Sequence, residues 1–200
     1  SLGEIWHGKD SGVNNLFYVN VGYGIGSSLV INGRVYNNSS EFGHIPITSK
    51  KMRCGCGKYG CLEAVASGNA IERKANQIFD NEQMWITAKE VFRMAVDGNK
   101  KAENIFVKTG NYLGKGISFI ANVFNPEKII IGGGVSGAGK ILLDPVRTSF
   151  MQHTMKMIKN TTEIELSPIG IDAGFFGAVN LVLNQRVFGT SLLEKHTITY

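Results

Sequence analysis

Apolar residues recur along this chain with two different periods, and the change from one to the other marks out its elements. The runs Leu16-Phe17-Tyr18-Val19-Asn20-Val21 and Ser27-Ser28-Leu29-Val30-Ile31 are rich in β-branched and aromatic residues, which predicts strands over residues 16 to 36. Asn32-Gly33, set between Ile31 and Arg34, predicts a two-residue hairpin turn. Further on the period widens to that of a helix. Ile71, Ala75 and Ile78 share one face of a segment that Ser67 can cap and that runs through residue 79. Asp80 to Trp85 is polar and reads as a loop, and Thr87 with Glu90 three residues later forms a capping-box pattern for a helix to about Val96, ended by Asp97-Gly98. The longest helix is predicted from about Lys101 to Phe124, with Leu113, Ile117, Ile120 and Phe124 as an apolar stripe. Gly110 and Gly114 are neighbours on that helix and thin it for close packing.

Asn125-Pro126 stops the long helix, and Lys128-Ile129-Ile130-Ile131 then predicts a short buried strand leading into Gly132-Gly133-Gly134. A strand, a glycine turn and a helix can bare backbone amides to an anion, although the triple glycine alone marks fold more than activity. Asp144-Pro145 predicts a helix start, with Val146, Phe150, His153 and Met157 on one face. Glu163-Ile164-Glu165-Leu166 alternates as a half-exposed strand, and Ala173 to about Arg186 reads as a final helix with Phe176, Val179 and Leu183 inward. Mixed strands and helices in this order predict an α/β domain.

Composition narrows the class only a little. The chain has 200 residues, 43% hydrophobic and 18% charged, enough for one large domain or two lobes of a globular protein. Its net charge of +5 comes from scattered Lys and Arg with short doublets, Lys50-Lys51 and Lys100-Lys101, rather than from a stripe that would track phosphates. No apolar run reaches the ~18 residues of a membrane span, and the first residues lack the layout of a signal peptide. His7, His153 and His196 stand alone, without the neighbours of a ligand set.

The chemistry is concentrated in residues 41 to 63. All three cysteines, Cys54, Cys56 and Cys61, fall there, and with His44 they give the spacing His-x9-Cys-x-Cys-x4-Cys. Three thiolates and an imidazole are a donor set that tetrahedral structural zinc favours. Gly55, Gly57 and Gly60 separate the thiols and let the backbone wrap tightly, with Lys58 and Tyr59 at the exposed turn. The competing reading is one disulfide plus a free thiol. An odd cysteine count and the closeness of Cys54 to Cys56 both weigh against it. Thiols used this way indicate a reducing compartment, so cytoplasm is expected.

The run Glu41-Phe42-Gly43-His44, followed by Cys54-Gly-Cys56-Gly-x-x-Gly-Cys61-Leu62-Glu63, resembles the signature of the ROK family, which contains sugar kinases and sugar-responsive transcriptional repressors. Asn125-Pro-Glu-x-Ile-Ile-Ile-Gly-Gly-Gly-Val135 resembles a second stretch of that family, and the likeness covers nearly the whole chain. The resemblance implies a lobe of the actin-like/ribonuclease-H-like fold carrying an inserted structural zinc loop. It implies that His44 both ligates zinc and touches a sugar, and that Glu41 and Glu63 accept hydrogen bonds from sugar hydroxyls. Charge makes carboxylates strong acceptors for that purpose.

One segment departs from the family's pattern. Val21-Gly-Tyr23-Gly-Ile-Gly-Ser27-Ser28 is similar to the phosphate-binding loop of ROK kinases, but Tyr23 replaces a threonine and Ser27 and Ser28 replace glycines. A phenol in that place is expected to crowd a nucleotide phosphate; a plain tight turn is the competing reading.

The resemblance further implies that residues 1–200 are the C-terminal lobe of a longer protein. A first lobe, any DNA-binding domain, the catalytic aspartate and the first phosphate loop are all expected upstream of Ser1, so this stretch alone is not expected to phosphorylate sugars. Val187 to Lys195 resembles the tails of ROK repressors. The expected role is therefore the effector-binding and oligomerisation region of a sugar-responsive repressor, acting as a dimer or tetramer on a small sugar or sugar phosphate. The alternative is the C-terminal lobe of an ATP-dependent sugar kinase.

Overall fold

The computed structural model describes residues 13–36, 40–79, 84–170 and 179. Its centre is a five-stranded mixed sheet built on β1 (Leu16–Val21), which is buried along nearly its whole length. β1 pairs antiparallel with β2 (Ile25–Ile31), Leu16 opposite Val30 and Val21 opposite Ile25, and β2 pairs with the short β3 (Arg34–Val35). The Asn32-Gly33 turn between them has φ of 51° and 73°, both left-handed, which is why that dipeptide suits it. On the other side β1 runs parallel to β4 (Lys128–Gly132), and β4 runs parallel to β5 (Glu163–Leu166), giving the order β3-β2-β1-β4-β5.

Helices cover one face of this sheet. α1 (Leu62–Ala66) and α2 (Gly68–Phe79) follow the cysteine stretch, and Ser67 Oγ between them accepts from the Ala70 amide. α3 (Ala88–Val96) starts on the predicted capping box, Thr87 and Glu90 each bonding the other's backbone amide. α4 (Lys100–Phe124) is the long helix, and Asn125 in the left-handed region closes it. Phe17, Val19 and Val21 from β1 join Leu113, Ile117 and Ile129 in the main core. Leu16, Tyr18, Val30 and Ile130, on the alternate positions, form a smaller cluster on the opposite face, as the two-residue period requires. The apolar stripe of α4 fades toward its end: Ile120 is half-buried and Phe124 is exposed.

Two predicted boundaries are corrected. The glycines after β4 lead first into a short 3-10 turn (Gly134–Ala138), and α5 begins at Lys140 and runs to His153, so Pro145 lies inside the helix. Val146 and Phe150 are buried as expected, but His153 is exposed and Met157 lies beyond the helix in solvent. Except for Val179, which is exposed rather than inward, the helix predicted from Ala173 to about Arg186, the tail after it, and His7 and His196 fall outside the described residues. No helix among the described residues is long and apolar enough to cross a membrane.

Candidate functional site

The cysteine stretch folds back on itself as a compact knuckle. Backbone bridges join Pro46 to Cys61 and Arg53 to Tyr59. Inside it the Cys54 amide donates to Lys58 O at 2.8 Å and the Gly57 amide returns to Cys54 O at 3.0 Å. Gly60 is required twice over: its φ is +73°, and a Cβ there would come within 2.1 Å of Thr48 O. The knuckle is tied to the core at both ends, by the Ile47 amide on Gly60 O at 2.8 Å and the Leu62 amide on Ile45 O at 3.0 Å. His44 enters from the 3-10 turn Phe42–His44, whose Phe42 ring meets Phe17 edge-on at 5.1 Å.

Those constraints bring the four predicted donors together. His44, Cys54, Cys56 and Cys61 present ligand atoms that all lie within 4.8 Å of one another, and all three cysteines are free thiols. Around a tetrahedral ion with metal–sulfur bonds of ~2.3 Å and metal–nitrogen bonds of ~2.0–2.1 Å, S···S edges are about 3.8 Å and S···N edges about 3.5 Å. Here Cys56 Sγ and Cys61 Sγ are 3.7 Å apart, and Cys54 Sγ is 3.5 Å from His44 Nδ1. The donor set therefore fits a metal in both chemistry and spacing. Desolvation pushes the Cys61 thiol up to about 12 and raises Cys54 as well, whereas a hydrogen bond from the Lys58 backbone lowers Cys56. A cation here has to displace protons from the two buried thiols, as thiolate ligation always does.

Carboxylates flank the donors. Glu63, on the first turn of α1, has Oε1 3.7 Å from Cys54 Sγ and 4.0 Å from His44 Nδ1, while Oε2 accepts the Ile25 amide at 3.0 Å. Glu41 stands on the outer side, its Oε2 3.7 Å from His44 Nε2, with 75% of its side chain exposed. The structure thus gathers Glu41, His44 and Glu63 around one imidazole, half-open to solvent.

Next to this group lies a cavity of about 940 Å³, walled by the turn Gly22-Tyr23, the glycines 133–134, Val135 and Ala138, with Phe92 and Phe106 behind. The Tyr23 ring is 79% exposed at the rim and does not fill the space. Ser27 and Ser28 belong to β2, opposite Val19 and Tyr18, rather than to the turn, and Ser27 Oγ pairs with Ser40 Oγ at 2.8 Å. The expected crowding of this space is not what the side chains do. Sequence reading also missed Phe92 and Phe106, which are helical apolar positions indistinguishable from core, and the Ile25 amide, whose role depends on a fold contact and has no residue signal.

Comparison with known proteins places these features. The sequence model of the ROK family matches residues 1–185. Among curated relatives, a glucokinase of Halalkalibacterium halodurans is 36% identical over 93% of this chain and 61% of its own length. The Escherichia coli DNA-binding transcriptional dual regulator NagC is 30% identical over 99% of this chain and 50% of its own. A solved ROK glucokinase from Streptomyces griseus, in complex with glucose and AMPPNP, superposes with a TM-score of 0.81 at 29% identity, covering 90% of this chain and 64% of that one. The fold is the sugar kinase-like α/β fold of these proteins, and the chain spans between half and two thirds of the length of the relatives it matches.

Proposed function

The chain belongs to the ROK family, and on that premise we propose that it is the effector-binding and oligomerisation region of a sugar-responsive transcriptional repressor. The observation that carries this reading is the convergence of Glu41, His44 and Glu63 beside a donor set that fits zinc. Zinc held by His44, Cys54, Cys56 and Cys61 supplies a fixed structural centre. His44 then presents its ring edge, and Glu41 and Glu63 accept from vicinal hydroxyls of a sugar or sugar phosphate, the charged acceptor making each bond stronger than a neutral one. A bound effector favours one arrangement of the lobes in a cytoplasmic dimer or tetramer, and DNA contact through a separate N-terminal domain follows that population shift. The sequence of Val187 to Lys195, which resembles the tails of ROK repressors, supports this choice.

A second reading has its own support. The open cavity between two glycine turns, together with the 36% identity to a glucokinase, suits the C-terminal lobe of an ATP-dependent sugar kinase. The full-length protein separates the two. Metal analysis is expected to give about one zinc per chain, calorimetry to show binding of a hexose or its phosphate, and incubation with ATP and the sugar to give no sugar phosphate. Steady turnover with ATP would establish the kinase instead, and a protein that binds no sugar loses both readings.

A further inference from the structure

One side chain touches both halves of the site. Glu63 faces His44 and Cys54 with one carboxylate oxygen and holds the Ile25 amide with the other, at 3.0 Å. Its carboxylate also rests against Gly24: a Cβ built there would lie 2.5 Å from Oε2 and 3.3 Å from Cδ. Gly24 is not among the residues with positive φ, so its backbone does not call for glycine. The space does. The rest of the turn is tied to the same helical segment, Gly22 O accepting from the Gly68 amide at 2.7 Å and Tyr23 O from the Asn69 amide at 3.2 Å. These bonds use the first amides of α2 on the protein's own turn. On its other side the turn, through Gly22 and Tyr23, walls the large cavity.

We propose that Gly24 is a positioning residue for the sugar site: its missing side chain sets where the Glu63 carboxylate stands, so that the cavity wall and the sugar-facing acid move as one body. The proposal rests on the sugar-binding reading for its consequence, though not for its geometry. A force on the turn reaches the carboxylate through one charge-assisted hydrogen bond, from the Ile25 amide, and through the space that Gly24 leaves open to it, without passing through the metal loop. Coupling of this kind is reciprocal, so occupancy of the sugar site also stiffens the turn.

The experiment is a double-mutant cycle in the full-length, zinc-replete protein, with Gly24→Ala, Glu63→Ala and both together. Two quantities are read: hydrogen exchange of the peptide over residues 21–26, by mass spectrometry, and affinity for D-glucose and N-acetylglucosamine, by calorimetry. Gly24→Ala alone is expected to speed exchange at this turn and to weaken sugar binding about tenfold, with zinc content unchanged. Added to Glu63→Ala it should change neither quantity further. Glu63→Gln, which keeps an acceptor for the Ile25 amide, should hold the turn's exchange near that of the wild type and shows that the alanine effects are not unfolding. Additive effects, or a Gly24→Ala protein whose turn exchanges normally, overturn the proposal. A wild type that binds neither sugar counts against the sugar reading, while the exchange cycle still decides the coupling.

Discussion

Cys56 and Cys61 face the same point in space from opposite environments. Cys56 is exposed, while Cys61 is fully buried, pairs through its backbone with Pro46 and caps α1. On the proposed zinc reading, replacing either by serine removes one of the four donors, so both variants should lose zinc on metal analysis. Their stabilities should differ. Cys61→Ser puts a hydroxyl in a dry place beside Met52 and Ala64 with only a weakly accepting thiol near its proton, and a poorly satisfied buried donor costs about 1–3 kcal/mol. Cys56→Ser puts a hydroxyl in water and should cost nothing beyond the lost metal. Denaturant titration with a chelator present in all samples isolates this difference; equal midpoints for the two variants would show that Cys61 is not held as described. The convergence of the four donors was legible because they share one glycine-punctuated stretch. The Glu63–Ile25 bond was not, since its partners are 38 residues apart and one of them is a backbone amide without a residue signal.

At the level of elements, the α4–α5 crossing explains why the Asp144-Pro145 signal misled. A proline in the sixth position of a helix forfeits a backbone bond and would normally mark a start. Here Pro145 lies against Gly110, where a Cβ would meet its ring at 2.8 Å, and one turn on Gly114 would meet Val146 O at 2.3 Å. The two helices approach as closely as the glycines allow, and Leu142, Val146 and Phe150 are buried there, which holds the proline-containing turn in helical form. A rule read from one segment cannot see the partner that overrides it. The same crossing gives a test in which two effects oppose. Alanine favours a helix over glycine by about 1 kcal/mol, whereas forcing extra carbon into a packed contact costs about 1–3 kcal/mol. With backbone oxygen rather than a flexible tip in the way, overpacking should win, and Gly114→Ala should lower the midpoint of thermal unfolding. A raised midpoint would mean that the helices can part without loss.

For the molecule as a whole, the legible part was the inventory of strands and helices, since β1 and β4 are apolar on both faces and α4 is striped. The parallel pairing of β1 with β4 was not, because it joins segments more than 100 residues apart that nothing local connects. That pairing matters for what removal of the proposed metal would do. Zinc fingers unfold without their ion because they have no other core. In this chain the main core runs from Phe17 and Ile129 through Leu113 to Phe150, and the cysteine cluster, with Ala64 and Met52, stands apart from it. Ile47 and Leu62, on either side of the knuckle, belong to the main core and hold its two ends in place. Chelation should therefore loosen residues 48–60 and leave the sheet intact. Hydrogen exchange with and without a chelator checks this: amides of the knuckle, such as Cys54 and Gly60, should exchange many-fold faster, while those of β1 and β4 keep their protection. Loss of protection throughout the sheet would show that the ion stabilises the whole domain. Protection unchanged in the knuckle would show that its backbone bonds suffice and that the four donors need no metal to stay together.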